Sequence, residues 1–63
     1  MLELIVERWR DPASGETYRW SLWEGGRRIA MGGPHGSADA AERDATSQSL
    51  RSLGRQPERV TRL

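Results

Sequence analysis

The segment Gly32-Gly33-Pro34-His35-Gly36-Ser37 lies between a strand-like stretch and a helical one, and it has the ingredients of an anion cradle. Free backbone N–H groups at a helix start, and the positive end of the helix dipole, attract phosphate. A nucleotide-binding loop, however, needs Gly-Lys-Ser/Thr at that point. Here Ser37 follows Gly36 with no lysine between them, and Asp39 adds a negative charge to the first turn. The segment therefore reads as a connection ending in a helix N-cap. His35 is the single histidine and there is no cysteine. A zinc site needs several such ligands, so neither a metal nor any other cofactor is expected. Acid–base work by His35 would need an orienting partner and a pocket, and neither is marked in the sequence. His35 reads as a solvated loop residue. The serines and carboxylates show neither a triad nor a glycosidase spacing. A chain of 63 residues also rarely encloses the roughly 300 Å³ or more of a ligand site. The expectation is a protein that is not an enzyme.

Binding chemistry is better represented. All ten basic residues are arginine, and three tryptophans accompany them. Base composition of a GC-rich genome explains an arginine-only set as a whole. A subset paired with tryptophan has the composition of an interface hot spot. Whether such residues meet depends on the elements that carry them.

Leu2 to Arg10 reads as a strand, with Leu2, Leu4 and Val6 alternating with Glu3, Ile5 and Glu7. Residues 11–16 form a loop with Pro12 and Gly15 as turn residues. Thr17 to Glu24 is a second strand, rich in Thr17, Tyr18, Trp20 and Trp23. Gly25-Gly26 marks a two-residue hairpin loop of the primed type. That loop pairs Glu24 with Arg27, Trp23 with Arg28, Leu22 with Ile29, Ser21 with Ala30 and Trp20 with Met31. Tyr18, Trp20, Leu22, Ile29 and Met31 would then share one face, and Arg19, Ser21, Trp23, Arg28 and Ala30 the other. Residues 32–36 break the third strand. Ser37 caps a helix over 38–53, which Gly54 stops, with Pro57 beyond. Ala38, Ala41, Ala45, Ser49 and Leu53 make a small-residue stripe that lets the helix sit close to Trp20 and Tyr18. Residues 59–63 are either a short fourth strand or a tail.

The fold class is α+β: a three-stranded antiparallel sheet in β-β-β-α order, one helix on one face, and a short C-terminal fourth strand as an option. Residues 1–63 form a single small domain, with the sheet in 1–33, the helix in 37–54 and a basic strand or tail in 55–63. Leu, Ile and Val number only ten. The formal net charge of +1 nevertheless argues against disorder, and the tryptophans supply apolar area. The run Leu4–Val6 is far short of the roughly 20 apolar residues of a membrane span. Glu3 and Glu7 replace the basic start of a signal peptide. A complete, free-standing chain of the cytoplasm, without membrane contact, is the expectation.

The sheet face away from the helix has no cover in this chain. Trp23 beside Arg28 suits a cation–π contact. Arg19 shares the face, and the first strand adds Ile5 and Trp9. This set points to a protein partner, with the chain acting as an adaptor or inhibitor through the face or an edge strand. Small domains of this kind are often encoded by phages or mobile elements. A second copy covering the face stays open at this point. The alternative is nucleic acid, held by Arg28 and Arg19 together with Arg55, Arg59 and Arg62 of the basic C-terminus.

Residues 18–45 resemble the three-stranded-sheet-plus-helix DNA-binding domains of ethylene-response factors and, more loosely, the arm-binding domains of tyrosine recombinases. The likeness rests on Tyr18, Trp20 and Leu22, on Ile29-Ala30-Met31-Gly32, and on Ser37-Ala38-Asp39-Ala40-Ala41. It implies a bare sheet face entering the major groove, with Arg28 at the position of a DNA-contacting arginine. Ala30 stands where those domains have a contacting tryptophan, and Trp23 where they have a contacting arginine. Their first strand is rich in arginine; here it holds Glu3 and Glu7.

Overall fold

The structure, a computed structural model, describes residues 1–63. Its elements are β1 (Leu2–Asp11), β2 (Gly15–Glu24), β3 (Arg27–His35), α1 (Ala38–Leu53) and β4 (Arg59–Arg62). They form one sheet in the order β3-β2-β1-β4. The pairs β1–β2 and β2–β3 are antiparallel, and β4 lies parallel to β1. The last segment is thus a strand. It reaches the far edge because α1 carries the chain back across the sheet, as a parallel pairing requires.

Turn chemistry sets the hairpins. Gly25 and Gly26 both have positive φ, 59° and 80°, as a primed two-residue turn demands. Between β1 and β2, Asp11 Oδ1 accepts from the Ala13 N–H at 2.8 Å, an Asx-type turn that shortens the connection. Both strands therefore run further than the expected 11–16 loop allowed. Leu2, Leu4 and Val6 of β1, with Trp20 and Leu22 of β2, are buried against Ala41 and Ala45 of α1. Tyr18, Ala30 and Ala38 flank that core. The helix is held at both ends. Ser37 accepts from the Ala40 N–H, and Gly54, at φ 72°, donates to the Leu50 carbonyl. Ser49 completes the buried stripe, whereas Leu53, expected on it, is 41% exposed.

β3 departs from the expected register. Glu24–Arg27 and Trp23–Arg28 pair as read, but Ile29 is an extra, bulged residue. Beyond it Ala30 faces Leu22, Met31 faces Ser21 and Gly32 faces Trp20. Ala30 therefore lies on the helix side, and Met31 moves to the open side. Size explains the shift. A Cβ on Gly32 would sit 2.5 Å from Trp20 Cζ2, so no side chain fits opposite that indole. The strand also continues through Gly33 and Pro34 to His35, which pairs with Tyr18. The expected break at 32–36 is instead the irregular end of a strand. No helix is long and apolar enough to cross a membrane.

Candidate functional site

Side chains alternate across a strand, so burial of Leu2, Leu4 and Val6 turns Glu3, Ile5, Glu7 and Trp9 to the face away from α1. Register then places the neighbours. One row across the sheet is Arg28, Trp23, Glu3 and Arg59; the next is Met31, Ser21, Ile5 and Thr61. Arg19 stands beside Glu7, and Thr17 beside Trp9. All five residues of the expected patch, Trp23, Arg28, Arg19, Trp9 and Ile5, thus lie on one face. Met31 joins them in place of its expected position on the helix side.

The stacking partners differ from expectation. The Arg19 guanidinium lies over the Trp9 ring, 5.6 Å from its centroid. Trp23 instead donates its indole N–H to Ser21 Oγ at 2.8 Å. That bond satisfies the hydroxyl of Ser21, which is buried although it is on the open face. Trp9 and Met31 are more than half exposed. Arg59 pairs with Glu3 at 3.8 Å.

The remaining C-terminal arginines sit elsewhere. Arg62 is on the helix side, bonded to Asp39 at 2.7 Å and Glu42 at 2.8 Å. These bonds hold the Asp39 carboxyl below, and the Arg62 guanidinium above, its ordinary range. Arg55 pairs with Glu24 and Glu58. Arg59 thus shares the open face with Arg28, whereas Arg55 and Arg62 do not, and each of the three is matched with a carboxylate.

A second constellation lies on the helix side of β3. Trp20 donates its indole N–H to Asp44 Oδ2 at 2.8 Å, and His35 Nε2 is 2.9 Å from the same oxygen. His35 is thus a half-buried, partnered residue and not a solvated loop histidine. The Trp20 N–H foremost, and then His35, hold the Asp44 carboxyl below the ordinary carboxylate range, against the opposing pull of partial burial. Next to this cluster, a groove of about 470 Å³ runs between α1 and β3. Sequence reasoning missed it because the Asp44 partners are far away in the chain. Two signals point that way: a buried Trp N–H requires an acceptor, and a glycine within a strand marks a close approach.

Nowhere do three His, Asp or Glu side chains converge as a metal site requires. Comparison with protein-family models, with curated proteins and with solved structures finds no match for this chain.

Proposed function

We propose that this protein is a non-catalytic interaction module, an adaptor or inhibitor, whose contact surface for a protein partner is the uncovered sheet face. The observation that carries this reading is the joining of Trp9, Trp23, Ile5 and Met31 with Arg19 and Arg28 on one face that α1 leaves bare. Aromatic residues and arginine dominate interface hot spots. The molecule measures 35 × 21 × 15 Å, so the broad face offers on the order of 700 Å², near the roughly 800 Å² per partner of a standard interface. The sheet edges are poorer candidates. β3 carries a bulge, Gly33-Pro34 and two arginines, and β4 has only four residues. Such features discourage strand addition.

Nucleic acid is the second reading. It is favoured by Arg19 and Arg28, neither of which has a carboxylate partner, and weakened by Glu3 and Glu7 beside them.

Wild type, Trp23→Ala and Arg43→Ala serve as paired baits in lysate of the source organism. The expected result is a partner held by wild type and Arg43→Ala and weakened by about 2 kcal/mol or more by Trp23→Ala, as at a hot spot. Trp9→Ala gives the same loss. A tight dimer on sedimentation would make the face a subunit interface instead. Salt-sensitive duplex binding, with a slope reduced by about one in Arg28→Ala, would put nucleic acid in the partner's place.

A further inference from the structure

The groove between α1 and β3 has a layout that neither the open sheet face nor the packing of the core explains. Its floor is Trp20 and Leu22, with Ala30 and Gly32 of β3 too small to fill the space above them. Ile29 of the β3 bulge forms one wall, and Leu53 closes the helix end. Both are large apolar residues left more than 40% exposed. Asp44, Gln48 and Ser52, four residues apart on one side of α1, line the other wall. The volume, about 470 Å³, is within the range of small-molecule sites.

Asp44 gives the groove its sign. Both of its hydrogen bonds, from Trp20 and with His35, fall on Oδ2; Oδ1 has no partner. The nearest arginine along that side of α1, Arg51, donates to Ser47 on the outer surface. An ionised oxygen beside apolar walls is best satisfied by a charged N–H donor. We infer that this groove binds a small organic cation, an ammonium or amidinium on a flat apolar body, with the cation on Asp44 Oδ1 and the body between Trp20 and Ile29. This site is separate from the open-face reading and does not depend on it.

Benzamidine is a suitable probe, with benzyl alcohol as the uncharged control, each titrated into ¹⁵N-labelled protein. The expected result is saturable binding near or below about 1 mM, with shifts at the Trp20 indole and at Ala30, Met31 and Gln48. Asp44→Asn, whose amide oxygen still accepts from Trp20, weakens benzamidine by about tenfold or more, since a charge-assisted bond is lost, and leaves benzyl alcohol unchanged. Ile29→Ala, at an exposed wall, weakens benzamidine severalfold and keeps the native spectrum. Equal binding of benzamidine and benzyl alcohol would overturn the proposal. Shifts confined to Trp9 and Trp23, or no saturation, would do the same.

Discussion

Trp20 is the residue on which the helix side of the molecule depends. Its ring is buried, its N–H is bonded to Asp44, and its edge lies over Gly32. Gly32→Ala would drive a methyl into the indole, so it should cost about 1–3 kcal/mol as an overpacked core does. The urea midpoint should fall with an unchanged m value. Gly36→Ala, with open space around its Cβ, is the control and should cost little. Asp44 links this contact to pH. Its folded pKa is lowered, first by the Trp20 hydrogen bond. A lowered carboxylate contributes stability that is fully present above the unfolded value of roughly 3.9 and is lost as pH falls through the folded value. Wild type should therefore lose stability below about pH 4, and Asp44→Asn should show a flatter acid limb in denaturant titrations between about pH 5 and pH 2.

Elements whose signals are local were legible in the chain. Gly25-Gly26 fixes the β2–β3 turn, and Ser37 and Gly54 bound α1, because each acts on atoms within a few residues. Ser37→Ala removes the acceptor of the Ala40 N–H, so it should lower stability by about 1 kcal/mol, read as a shift in thermal midpoint with the fold intact. The path of β3 was not legible. Ile29, Ala30 and Met31 alternate acceptably in either phase, and only the bulk of Trp20 across the sheet selects the phase that places Gly32 beneath it. The three strand-breaking residues Gly32, Gly33 and Pro34 likewise conceal a strand that continues by pairing His35 with Tyr18. The fourth strand was undecided for a similar reason, since its partner, β1, begins 57 positions earlier.

At the scale of the whole molecule, the open face was readable because β1 and β2 alternate without interruption from Leu2 to Val6 and from Tyr18 to Trp23. Placing Trp9, Ile5, Arg19 and Trp23 needed only strand phase. The fate of the C-terminal arginines needed three dimensions. In the sequence Arg55, Arg59 and Arg62 look like free charge; in the fold Glu24, Glu3, Asp39 and Glu42 stand opposite them.

The parallel seam between β1 and β4 has a consequence for how copies of the chain can become entangled. β4 is short, lies at the edge, and is fastened by few main-chain bonds, among them Glu58 N–H to the Leu2 carbonyl and Leu63 N–H to the Val6 carbonyl. Edge segments of this kind open first. Once β4 lifts away, β1 offers a vacant edge that the same strand of another molecule fits equally well. The Gly54–Pro57 connection supplies the hinge. Crowded chains that traded their last strands would be joined in pairs through domain swapping, a route to association that leaves the tryptophan-bearing face untouched.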